Sequence, residues 1–197
     1  MNSSQVRTAG LVAYIHAVVI VLVLILGFVF AASMISDAAK GKTITPGSFG
    51  ITSILGWIQA IVYIAMLYLF NKYLVNVRKH TKSQMLIYII IVIELVQIIL
   101  GIIGLGGAAV SFSAIGIGAI ISLVLTIAKG VLMIIVGVQV MGAIKDSGAM
   151  KGFAILYIIA GACTAVILLI FLAPFLAIAY SICLGVALSG EAKKVAA

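Results

Sequence analysis

Charge is scarce in this chain, and negative charge is scarcer still. Its 197 residues carry 12 Lys and Arg but only 4 Asp and Glu, so 8% are charged. A soluble domain carries about 25% charged residues, so there is too little polar surface here for a fold solvated by water. Histidine and cysteine are nearly absent, at two each. Cys163 and Cys183 make no disulfide framework and belong to no C-x-x-C pair. With His16 and His80 they make no recognisable zinc or haem set. H-E-x-x-H, G-x-S-x-G and P-loop patterns are missing. Asp37 and Asp146 fall on opposite membrane sides in the topology below, which excludes a catalytic carboxylate pair. These absences predict a protein that is not an enzyme of ordinary type, with no cofactor and no metal.

What is abundant is hydrocarbon: 65% of residues are hydrophobic and mean hydropathy is +1.43. A spanning helix needs about 20 apolar residues. Apolar runs predict an all-α, polytopic transmembrane bundle in one integral membrane domain, 1–197. Its helices fall at about 11–35, 51–74, 85–105, 115–144, 152–172 and 174–189. Breaks are marked by Asp37–Ser48 (with Lys40, Gly41, Lys42, Pro46 and Gly47), by Lys72–Lys82, by Gly106, Gly107, Ser111 and Ser113, and by Lys145-Asp146-Ser147-Gly148. The first run is too long for a signal-peptide core and is read as a retained helix. Asn2-Ser3-Ser4 fits a glycosylation sequon, but on the side expected to be cytosolic.

The stretch Gly152–Leu188 is either one helix kinked at Pro174 or two short helices turning at Ala173-Pro174. Charge placement favours two. With the N-terminus and Arg7 in the cytosol, the Lys72–Lys82 and Lys145–Lys151 segments also lie inside. Six helices then bring Lys193-Lys194 inside, as the positive-inside rule asks, whereas five leave them outside. The expected site is thus a plasma or inner membrane, with both termini cytosolic. The net charge of +8 is read as topology and headgroup contact, not nucleic-acid binding. Lys72, Arg78, Lys79 and Lys82 form the candidate cytosolic contact loop. Tyr14, Tyr88 and Tyr157 open helices 1, 3 and 5 and are expected at the inner interface. Trp57 fits the outer one.

Two charges interrupt the apolar runs at mid-membrane depth, where ionisable residues are expensive. Helices 3 and 4 are antiparallel neighbours because their connection is short. Glu94 lies 12 residues before Gly106 and Lys129 lies 14 after Ile115, so at about 1.5 Å per residue their depths differ by ~3 Å. They are expected to pair. Ile90, Glu94, Gln97, Gly101 and Gly104 share one side of helix 3. Gly118, Ser122, Thr126, Lys129 and Gly137 fall within about a third of the circumference of helix 4. Gly56, Gln59, Tyr63 and Met66 form a stripe on helix 2, with Gln59 approaching the level of Glu94. Glu94, Lys129, Gln59, Gln97, Ser122 and Thr126 are the candidate polar, ion or substrate site. His16 is read as a packed or interfacial side chain.

Three functions compete. The sequence best fits a non-enzymatic subunit or accessory of a larger membrane assembly. Its 20 glycines suit close packing within the chain, against another membrane protein, or between copies. The second reading is a small-solute or ion transporter or channel built on Glu94 and Lys129. The third is an intramembrane thiol redox protein, since a hairpin centred on Ala173 brings Cys163 and Cys183 to similar depth.

Overall fold

The computed structural model describes the backbone of residues 1–40, 47–106, 112–144 and 147–196, and most of their side chains. The expected loop residues Gly41, Lys42, Pro46, Gly107, Ser111, Lys145 and Asp146 lie outside the described residues. So do the side-chain surroundings at Asp37, Gly47, Ser48, Gly104, Gly106, Ser113 and Gly118.

The described chain is all-helical, and six helices are long and apolar enough to cross a membrane. They are α1 (Ser3–Ala39), α2 (Gly47–Asn76), α3 (Gln84–Gly106), α4 (Phe112–Ala143), α5 (Gly148–Ala165) and α6 (Ala173–Ala196). The last apolar stretch is therefore two spans, not one.

Helix ends differ from the expected ones for local reasons. α1 begins at Ser3 rather than Leu11 because Asn2 and Gln5 cap it reciprocally. The Gln5 N–H donates to Asn2 Oδ1 at 2.9 Å, and the Asn2 N–H donates to Gln5 Oε1 at 3.3 Å. At the other end α1 runs through Asp37 to Ala39, into the expected loop. Its 37 residues rise about 56 Å, well beyond a ~30 Å hydrocarbon layer.

α2 ends in a 6→1 bond from the Arg78 N–H to the Tyr73 carbonyl, followed by a bond from the His80 N–H back to the Leu74 carbonyl, with Lys79 in the left-handed region at φ 55°. α5 is capped by the Ser147 hydroxyl, which accepts the Met150 N–H. It stops at Ala165, seven residues short of the expected end. Pro174 offers no N–H to a carbonyl of the preceding turn, so α5 cannot run through it unbroken. The chain therefore crosses Ile167–Leu172 as a 3-10 helix, and Pro174 enters the first turn of α6, where no donor is needed.

The helices form a ring in chain order. Each packs on its sequence neighbours, and α6 closes the ring against α1. Side chains of α2 and α5 meet across the middle. Close backbone approach holds two of the seams. At α4–α5, a Cβ on Gly161 would lie 2.6 Å from the Gly130 carbonyl oxygen. At α6–α1, the Tyr14 ring lies against Gly185 and closes the space a Cβ would need.

Packing density differs between the two ends. The near end holds both termini and the α2–α3 and α4–α5 connections. One apolar cluster fills it, including Val6, Phe70, Leu74, Ile87, Val140, Ile144, Phe153 and Leu188, each 1% exposed or less. Toward the far end, where α5 passes into α6, successive positions are uncovered. Phe28 and Val29 of α1, Ile102 and Ile103 of α3, and Leu123 and Val124 of α4 are all exposed. Among the described residues, none of α1 beyond Ile20, of α3 beyond Glu94 or of α4 before Gly130 is buried.

Candidate functional site

Between the dense near end and the open far end lies a cavity of about 370 Å³. Every helix contributes to its wall: His16 from α1, Gln59 and Tyr63 from α2, Glu94 from α3, Thr126 and Lys129 from α4, Thr164 from α5, and Pro174 and Tyr180 from α6. Among the described lining residues, Glu94 and Lys129 are the only Asp, Glu, Lys or Arg.

Lys129 Nζ donates to Glu94 Oε1 at 2.8 Å. The side chains keep 19% and 9% of their surface, so the pair faces the cavity rather than sealed protein. One turn toward the far end, Gln97 Nε2 donates to Thr126 Oγ1 at 2.9 Å. Three residues forward on α3 match three back on α4, as an antiparallel pair requires. Thr126 Oγ1 in turn donates to the Ser122 carbonyl at 2.8 Å. Gln97 and Ser122 therefore stand behind Thr126 rather than on the cavity wall.

Gly56, Gln59 and Tyr63 line the cavity from α2, and Met66 is buried beneath them. Gly101 receives the Trp57 indole, whose Nε1 would sit 3.2 Å from an added Cβ.

The cavity floor is a cluster of rings that the sequence reading did not assemble. Tyr63 and Tyr157 share a hydroxyl–hydroxyl bond of 2.9 Å between α2 and α5. Tyr180 meets Tyr157 edge-on at 5.2 Å, and His16 stacks on Tyr63 at the same centroid distance. His16 Nδ1 lies 2.8 Å from Ser181 Oγ, which ties α1 to α6. Phe153 and Phe70 continue the cluster toward the near end.

Tyr157 is thus fully buried, not an interface aromatic, while Tyr88 is exposed as expected. The signal was available: Tyr157 sits in the middle of the span Gly148–Ala165. An anchor belongs at the end of a span. His16 is packed, as expected, but its position on the wall was not foreseen.

Two further expectations are corrected. Cys163 and Cys183 are free thiols, and they are not at similar depth. Cys183 Sγ lies beside Gly152, and Tyr180 lies against Tyr157. In that register Cys163 stands some ten residues, or about 15 Å, further along α5. The 3-10 segment takes up the residues that a tight turn at Ala173 would have left paired.

The loop arginine is also not free at a headgroup surface. Arg78 Nη2 forms an ion pair with Glu191 Oε2 at 2.9 Å, and Arg78 Nε donates to the Tyr73 hydroxyl at 2.8 Å. Glu191 holds Lys194 as well, at 2.9 Å. Of the candidate contact loop, only Lys72, Lys79 and Lys82 are exposed.

His80 lies in the α2–α3 connection, within 2.9 Å of Ser83 Oγ. Partial burial, then the charge of Lys82, hold its imidazole below the ordinary value of 6.5.

No protein family, no curated protein and no solved structure compared with this chain matches it. The fold and the composition define an integral membrane helical bundle.

Proposed function

We propose that this bundle binds a small polar solute in its central cavity and carries it across the membrane. The observation behind the reading is a charged pair placed on the wall of a cavity that all six helices bound. A pair that only fixed helix register would be stable without open space beside it. Small-molecule sites occupy about 300–1,000 Å³ and combine apolar walls with a few convergent polar groups, and this cavity fits that description.

The dense near end closes the cavity on one side, and among the described residues the loosely packed far end leaves the other accessible. That is one of the two states an alternating-access carrier visits. Arg7, Lys72, Arg78, Lys79, Lys82, Lys151, Lys193 and Lys194 all sit at the near end. By the positive-inside rule that end is cytosolic and the cavity faces outward. The reading as an accessory subunit rests on no comparable feature, and the thiol reading loses its geometry with the separation of Cys163 and Cys183.

Cysteine accessibility tests the proposal. With Cys163 and Cys183 replaced by Ser, Ala60→Cys and Ala177→Cys on the wall react with a membrane-impermeant thiol reagent. Val92→Cys, on the outward face of α3, does not. Wall positions as inert as Val92→Cys would remove the solute site.

A further inference from the structure

Within that reading, the wall also shows which solute it suits. We infer that the ligand is a small zwitterion, one ammonium and one carboxylate on the same molecule, which inserts between Glu94 and Lys129.

The threonine hydroxyl donors of the wall are already used. The Thr126 hydroxyl donates to the Ser122 carbonyl, and the Thr164 hydroxyl donates to the Ala160 carbonyl. Tyr63 and Tyr157 share their hydroxyl bond, and His16 Nδ1 is held at Ser181. Among the described residues, only the Gln59 amide is a neutral side-chain group on the wall with its full capacity free. A sugar or polyol, which presents several hydroxyls, would find few neutral donors.

The unused capacity is ionic. Glu94 Oε1 takes one N–H of Lys129. Among the described residues, Glu94 Oε2 and the other two N–H groups of Lys129 have no partner.

Charge balance points the same way. The pair makes its part of the cavity neutral, at a depth where an unbalanced charge is expensive. A ligand of single charge would leave one charge uncompensated on binding. A zwitterion places its ammonium on Glu94 and its carboxylate on Lys129. Two ion pairs then replace one, and the cavity stays neutral. Ala60, Met133, Ala160 and Ala177 offer apolar wall to the rest of the molecule.

The test uses purified full-length protein in lipid nanodiscs. The probes are the twenty L-amino acids and glycine betaine, read by ligand-dependent thermal shift and then by equilibrium binding. Each amino acid that binds is compared with its decarboxylated amine and its deaminated acid. At least one zwitterion is expected to bind, with both single-charge counterparts weaker by about 30-fold or more, because a desolvated charge loses its partner. The double variant Glu94→Gln/Lys129→Met, which leaves no charge unpaired, is expected to fold and to lose that discrimination.

If no zwitterion binds, or if amine or acid binds as well as its parent, the inference is overturned. Binding of myo-inositol in place of any zwitterion overturns it while leaving the solute site standing. Wall cysteines inert to thiol reagents bring down the solute site itself.

Discussion

Replacing Lys129 by Met removes one half of the buried pair and keeps most of the side-chain volume. At 2.8 Å and an effective dielectric of about 20, the attraction between the two charges is about 6 kcal/mol. Taking both charges out of water opposes that by a similar amount, so the intact pair adds little net stability. Removing one partner leaves the other's desolvation uncompensated, which typically costs about 3–5 kcal/mol. The lower end applies, because the Lys129 side chain keeps 19% of its surface and lines the cavity rather than sealed protein. Lys129→Met and Glu94→Gln are therefore each expected to lose about 3 kcal/mol, with Glu94→Gln/Lys129→Met recovering to within about 1 kcal/mol of the parent. Native proteins are stable by only about 5–15 kcal/mol, so losses of this size are measurable. Reversible unfolding in bicelles, followed by far-UV circular dichroism against denaturing detergent, gives all four corners of the cycle. Additive losses, with the double variant worse than either single one, would refute the claim that these groups are energetically coupled.

Three other predictions follow from the geometry. Gly161→Ala puts a methyl 2.6 Å from the Gly130 oxygen, so α4 and α5 must part, at a cost of about 1–3 kcal/mol. Gly27→Ala meets nothing within 4 Å and should be neutral or gain about 0.5–1 kcal/mol; equal unfolding midpoints for the two variants would contradict the packing. At the near end, Arg78→Met should cost roughly 2 kcal/mol, since Glu191 is buried and loses a charged bond, whereas Lys194→Met, at a 61% exposed side chain, should cost under about 1 kcal/mol in the same assay. His80 should titrate with a midpoint below 6.5 by NMR. The unfolded chain then takes the proton first, so the stability linked to His80 is present above pH 6.5 and is lost as pH falls through the folded midpoint; a midpoint above 6.5 would reverse the sign.

The first four spans and the level of Glu94 against Lys129 were legible in the sequence because they depend on local quantities. Run length decides whether a segment can span, and a short connection fixes the register of α3 on α4. The choice of two final spans over one came instead from charge placement, which brings Lys193 and Lys194 to the side of Arg7. The ring cluster was not legible, because His16, Tyr63, Tyr157 and Tyr180 converge only through the α1–α6 and α2–α5 contacts. Nothing in a one-dimensional pattern sets those registers. The misplacement of Cys163 against Cys183 has one cause: six residues of 3-10 helix shift the whole of α6 along α5. Arg78 was read as a surface charge because its acceptor, Glu191, is more than a hundred residues away. The start of α1 was legible in principle, since Asn2 and Gln5 have the spacing of a reciprocal cap. The sequon reading of Asn2-Ser3-Ser4 obscured it.

A ring wound in chain order has a consequence for biogenesis. During synthesis each new span finds a partner in the one just made, except the first. The face of α1 that carries Gly10 has no mate until α6 leaves the ribosome. Until then the assembly is an unclosed arc in which His16 has the Tyr63 ring but not the Ser181 hydroxyl. Translation arrest before Tyr180 should therefore strand a species that quality-control proteases recognise, while arrest after Ala192 should not.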